Sequence, residues 1–246
     1  MFIWVFLVLI FGSFFNEGFS KSQEILQGPT YNNISLSNFS VIHNYPGLKY
    51  DLKQHWSKSF SKNNSAGSVL FSYNNKGFLV LAELLDSDPF SLVTKDNDQT
   101  WVKGDLFEIL IQEQGVESYW EFHFTPNNFS LQMLLPNKAT IRGIYRGDAF
   151  EHLFKTQTGV RFETKKHPQG WNLKAYLPWK LFGKSQTSSH WLYVFARNDM
   201  GRHRKNSEIS ASGNFTKIYF HDQKYWHQGF IQNKLLVISQ NQKQVP

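Results

Sequence analysis

The chain has 246 residues, of which 41% are hydrophobic, 17% aromatic and 18% charged, with a formal net charge of +7. That length and apolar share suffice for one sizeable hydrophobic core and exclude global disorder. Cysteine is absent, which excludes disulfides, thiolate metal sites, cysteine nucleophiles and c-type haem attachment, and with no basic run or recognition motif there is no case for a nucleic-acid partner.

At the N-terminus, Phe2 to Phe15 is almost wholly apolar and is followed at once by Asn16-Glu17-Gly18. This length fits the core of a signal peptide and is short for a membrane span, so residues 1–20 are expected to be removed after Ser20. The n-region lacks Lys and Arg, which leaves an uncleaved anchor as the alternative. Either way the chain is expected to be exported, secreted or periplasmic. Residues 21–44 are expected to form an N-terminal extension, 45–238 one domain and 239–246 a polar tail, with no later stretch apolar enough to cross a membrane. Asn-x-Ser/Thr sequons start at Asn33, Asn38, Asn63, Asn128 and Asn214, and they matter only in a eukaryotic secretory pathway.

Strand-length segments then recur between Gly, Asn, Asp and Pro clusters. Ser68 to Tyr73, Phe78 to Leu85, Leu106 to Gln112, Tyr119 to Phe124, Leu131 to Leu135, Gly159 to Lys165, Trp171 to Leu177, Trp191 to Asn198 and Lys217 to Phe220 all read as strands. Leu177 to Gly183 reads as a strand end followed by one short helical turn. Many short strands without a long helical period predict an all-β, antiparallel β-sandwich.

Strand alternation assigns faces. Phe107, Ile109 and Ile111 point one way and Glu108 and Gln112 the other; Trp120, Phe122 and Phe124 share one face, Glu121 and His123 the opposite one. If the two strands are neighbours, Glu108, Gln112, Glu121 and His123 form a polar patch. The plain reading is a salt-bridged, solvated face, with Arg197 or Lys174 as counter-charge. A hydrolase reading needs two carboxylates roughly 5 to 9.5 Å apart, and Glu108 with Glu121 is the candidate pair. Asp86, Asp88, Asp96 and Asp98 flank an oxygen-rich loop that would suit Ca2+, although aspartates are also ordinary turn residues.

The order of motifs carries a resemblance. Trp101-Val102-Lys103-Gly104-Asp105-Leu106-Phe107-Glu108-Ile109, then Tyr119 to Pro126, Trp171 to Trp179, Trp191 to Arg197 and Tyr219-Phe220-His221 resemble the family 9 carbohydrate-binding modules and their DOMON-like superfamily relatives, over about Tyr45 to Ile231. The resemblance implies a jelly-roll-like sandwich that binds an oligo- or polysaccharide without catalysis, or in some branches b-type haem. Carried over, Trp101 stands where one clamping tryptophan is found, Glu108 at a hydroxyl-binding acid, Glu121 and His123 near a polar pair, and Trp226 as the late tryptophan that would complete the clamp. Arg197 joins them as a polar candidate. The chemistry is sound on its own terms, because a pyranose offers C–H faces to aromatic rings and hydroxyls to carboxylates and amides. For haem, His123, His221, His227 and Met133 are the candidate axial ligands.

Overall fold

Alternating apolar residues carry the chain into two antiparallel sheets whose inner faces meet. The structure, a computed structural model, describes residues 25–26, 47–57, 66–74, 76–145, 149–183, 189–202, 207–232 and 235–238. The expected signal segment and tail lie outside the described residues, as do the sequons at Asn33, Asn38 and Asn63.

The smaller sheet has the order β2-β3-β4-β9-β8, from β2 (Leu48–Asp51), β3 (Gly67–Asn74), β4 (Gly77–Leu85), β9 (Gly170–Pro178) and β8 (Arg161–His167). The larger has the order β1-β13-β12-β10-β5-β6-β7, from β1 (Ile25–Leu26), β13 (Leu235–Ile238), β12 (His227–Gln232), β10 (Ser189–Asp199), β5 (Leu106–Glu113), β6 (Tyr119–Phe124) and β7 (Ser130–Leu135), with β11 (Glu208–Ala211) also paired to β10. The strands β3 to β10 match the expected segments closely. Residues 25–26, expected in an extension, instead add a strand to the larger sheet beside Val237 and Leu236.

The main core lies between the sheets. Phe71, Phe78, Val80, Ala82, Leu84, Trp171, Leu173 and Leu177 from one layer meet Phe107, Ile109, Ile111, Phe122, Phe124, Trp191, Tyr193 and Phe195 from the other. These are the alternate residues of their strands, as period-two burial requires. Trp179 is buried beneath the short turn Trp179–Phe182, which ends on Gly183 at φ 69.

The outer face of the larger sheet is covered too. Leu110, Leu131, Met133, Leu135, Val194 and Ala196 make that face apolar, and an uncovered apolar face would be costly in water. Helix α1 (Lys138–Tyr145), the turn Glu151–Leu153 and the 212–226 segment lie over it through Ile141, Leu153, Phe215, Phe220 and Trp226. α1 has Asn137 as its cap, whose Oδ1 accepts the N–H groups of Ala139 and Thr140. The expected strand Lys217 to Phe220 is corrected by this cover. Those residues form tight turns that press Phe220 inward and leave Ile218 exposed, because the segment packs as a plug rather than pairing with a neighbour.

Candidate functional site

Glu108 on β5 stands directly opposite His123 on β6, and Leu110 stands opposite Glu121. Directly paired residues share a face, so Glu108, Gln112, Glu121 and His123 lie on the outer face of the larger sheet, under the edge of its cover. Glu121 is 5% and His123 2% exposed, whereas Glu108 is half-buried and reaches solvent. Gln112 is held internally, donating to the carbonyls of Val116 and Glu117 and accepting from Gln223.

His123 is engaged at both nitrogens. Its Nε2 is 2.7 Å from Glu121 Oε1 and its Nδ1 is 2.6 Å from Thr100 Oγ1. Burial opposes the charged imidazole, but the hydrogen bond to Glu121 and the Glu121 charge outweigh it and raise the His123 pKa. Burial likewise works against the Glu121 carboxylate, but His221 and His123 outweigh it and lower its pKa. The pair is therefore an internal ion pair in which protonated His123 donates through Nδ1 to Thr100. His221, whose Nδ1 is 2.9 Å from the Tyr119 hydroxyl, is held toward its neutral form chiefly by burial. Its Nε2 stands 3.9 Å from Glu121 Oε2, an oxygen that is buried without a hydrogen-bond partner.

Thr100 begins the short turn Thr100–Val102 that carries Trp101. The indole is half-buried, edge-on to the His123 ring with centroids 6.1 Å apart, and tilted against Phe150 at 5.3 Å. The loop before it is pinned at several points. Asp96 Oδ1 accepts the Ser130 N–H, Asn97 Oδ1 accepts the Gln132 N–H, and Asp98 pairs with Lys103 at 2.7 Å. Gly104 has φ +139, and a Cβ there would meet Ser91 Cα at 2.6 Å and Phe90 O at 2.7 Å, so only glycine lets the chain turn into β5 this close to the neighbouring segment. Phe150 lies in an irregular connection, and no sequence period marked it as a site residue.

Glu108 has neither a hydrogen bond nor an ion pair among the described residues. Burial pushes its carboxyl up to about 7, against the pull of His123 and with the repulsion of Glu121. A carboxyl with its pKa raised in this way, next to the His123 against which the Trp101 indole stands, can donate to or accept from a ligand hydroxyl.

The other expected site residues fall elsewhere. Trp226 is buried, donates through Nε1 to Phe220 O at 2.6 Å and packs edge-on to Tyr119, so it is a piece of the cover and not a clamp. Arg197 stands opposite Phe107 on the inner face, away from Glu108. Its guanidinium is 2.7 Å from Asp199 Oδ2 and 3.2 Å from Asp86 Oδ2, and donates to Ala66 O. Lys174 lies in the smaller sheet.

The four aspartates expected around one Ca2+ do not converge. Asp86 instead meets Asp105 and Asp199 in a buried trio. Asp88 stays near Asp86 only through its N–H, while Asp96 and Asp98 hold the Trp101 loop. In the trio Arg197 already supplies the positive charge. The Asp105 oxygens accept N–H groups from Phe90, Met200 and Gly201, so the donors do not form a free oxygen cage of the kind Ca2+ takes. The haem ligand set fares similarly. His123 is used at both nitrogens, His221 and His227 hydrogen-bond Tyr119 and Ser212, and Met133 is buried in the outer-face packing, so these side chains do not fit axial ligation.

No family model matches the chain, and no curated protein matches it. Among solved structures, it is similar to a protein of Bacteroides uniformis ATCC 8492 that carries the provisional description carbohydrate-binding, at 12% identity over 74% of this chain and 85% of that one, with a TM-score of 0.56. Two structures of a family 9 carbohydrate binding module from Caldicellulosiruptor kristjanssonii, with cellotriose and with glucose, are 14% and 13% identical over 73% of this chain and 80% and 82% of theirs. Their TM-scores are 0.49 and 0.48. At 12% identity, the likeness to the Bacteroides protein establishes a shared sandwich fold.

Proposed function

We propose that this chain is an exported, non-catalytic module that binds a saccharide against Trp101, with Glu108 bonding its hydroxyls. The observation that carries this reading is the half-buried indole edge-on to His123, opposite which stands Glu108, a solvent-reaching carboxylate without a side-chain partner among the described residues. Phe150 extends the aromatic wall, and pyranose C–H faces stack on such rings. Glu121 and His123 are spent on each other and on Thr100, so they set the site's shape and do not reach the sugar. Glu121 is for the same reason a poor partner for Glu108 in hydrolysis, and the engaged imidazoles favour sugar over haem.

The ordered motifs support placing the chain with the family 9 modules and their DOMON-like relatives. The apolar run Phe2 to Phe15 supports export, and among the described residues no helix is long and apolar enough to cross a membrane. The test is a glycan-array screen followed by calorimetric titration of the hits with wild type and Trp101→Ala. The reading expects a saccharide ligand whose binding the substitution abolishes. Absence of any saccharide ligand, or equal binding by the variant, would overturn it.

A further inference from the structure

The charges around the site are unbalanced, and this bears on which sugar it takes. The chain as a whole carries +7. Yet among the described residues the charges acting on Glu108 are those of His123 and Glu121, and no lysine or arginine is among them. His123 is already committed to Glu121. His221, held toward neutrality chiefly by burial, stands 3.9 Å from Glu121 Oε2, too far to hydrogen-bond it, and that oxygen has no hydrogen bond among the described residues. Lys103, on the same loop as Trp101, is neutralised by Asp98. Among the described residues, Glu121 thus has both imidazoles within 3.9 Å, whereas Glu108, the carboxylate that reaches solvent, has no ion pair of its own.

Resting on the saccharide reading above, we propose that the site selects a cationic sugar, a hexosamine whose ammonium pairs with Glu108 beside the wall of Trp101 and Phe150, and that it rejects uronates and sulfated sugars. An ammonium would supply the missing positive charge in a partly desolvated setting, where a charge-assisted hydrogen bond is stronger than a neutral one. The same cation lies well against an aromatic face, which favours positive charge over it. An acidic sugar would add a third negative group to the two carboxylates. The carboxyl of Glu108, held near 7 without such a partner, would ionise on pairing and release its proton. The selectivity runs against the overall charge of the chain, which repels cationic polymers and attracts acidic ones, so non-specific attraction cannot mimic it.

The test titrates the full chain, in mildly acidic buffer where the sugar amines are already protonated, with four probes of matched length: a fully de-N-acetylated chito-oligosaccharide, its N-acetylated form, a cello-oligosaccharide and an oligogalacturonide. The expected order places the amino sugar roughly tenfold or more ahead of the neutral sugars, with the uronate weakest. Glu108→Gln, which keeps shape and removes charge, is expected to abolish the lead of the amino sugar over the neutral ones. Its melting curve checks that it is folded. Titration in two buffers of different ionisation enthalpy is expected to show proton release with the amino sugar alone. Neutral sugars bound as tightly as the amino sugar, or an amino-sugar preference that survives Glu108→Gln, would overturn the inference and leave the saccharide reading intact. No binding of any sugar would overturn both.

Discussion

His123 Nδ1 lies 2.6 Å from the hydroxyl of Thr100, one residue before Trp101 in the chain. A strand residue thereby fixes a loop residue. The chain of contacts from Glu121 through His123 to Thr100 ties the turn that carries the indole to the rigid middle of β6. Thr100→Val keeps the volume and leaves the His123 N–H without an acceptor, which costs about 1–3 kcal/mol for a buried donor. The expected result is weaker saccharide binding and a shifted Trp101 indole NMR signal, with Thr100→Ser restoring both. An unmoved indole signal in Thr100→Val would show that the contact does not position the ring.

Trp226 and Trp101 are expected to separate stability from binding. Trp226 fills the outer-face packing, so Trp226→Ala should lose about 3–5 kcal/mol of stability in chemical denaturation. Trp226→Phe should fold and bind saccharide like wild type. Loss of binding in a folded Trp226→Phe protein would restore this residue to the clamp.

Glu108 makes stability depend on pH. Its carboxyl is pushed up to about 7 in the folded chain, above its ordinary unfolded value, so its protonated form favours folding. That contribution is present below about pH 4.3 and is lost as pH rises through about 7. Glu108→Gln should therefore match wild type below about pH 4.3, gain on it as pH rises between there and about 7, and melt higher than wild type above neutrality. A melting-temperature difference that does not change with pH would contradict the assigned surroundings.

Arg197 bridges two carboxylates of the buried trio, Asp86 and Asp199. Arg197→Met leaves Asp86 and Asp199, which lie beside Asp105, without their guanidinium, and breaking a buried pair of this kind costs about 3–5 kcal/mol. Asp105 is pushed up to about 6 by burial, offset by the Phe90 N–H and reinforced by Asp86. Its protonated form favours folding, so stability from this group falls as pH rises through about 6, and the variant should recover part of its loss in acid. Added Ca2+ should raise the melting temperature of the variant more than that of wild type, because the cation replaces the lost positive charge. Equal responses of the two proteins would argue that the trio takes no cation even when vacated.

The sandwich and the polar patch were legible because a two-residue period writes burial directly into strands of six residues or more. Leu106–Glu113 and Tyr119–Phe124 show this most clearly. The same period, followed from Trp191 through Tyr193 and Phe195, also puts Arg197 on the inner face, and its separation from Glu108 could have been read there. Short or polar strands such as Leu48–Asp51, Glu208–Ala211 and His227–Gln232 carry too few alternations to stand out. The buried position of Trp226 and the presence of Phe150 beside Trp101 depend on how irregular connections fold back over the sheet, which no local pattern encodes. Lys138–Tyr145 did carry a signal in its Asn137 cap, but eight residues are a weak helical period.

Ligand is expected to meet the chain where Trp101 stands edge-on to His123, next to its cross-strand neighbour Glu108. Titrating a bound saccharide into isotopically labelled protein, and mapping the amide and indole shifts, tests it most directly. The largest changes are expected on the Trp101 indole, on Phe150 and on the backbone of Glu108 and its neighbours in β5. Changes centred instead on the outer face of the smaller sheet, around Lys174 and Tyr176, would contradict it.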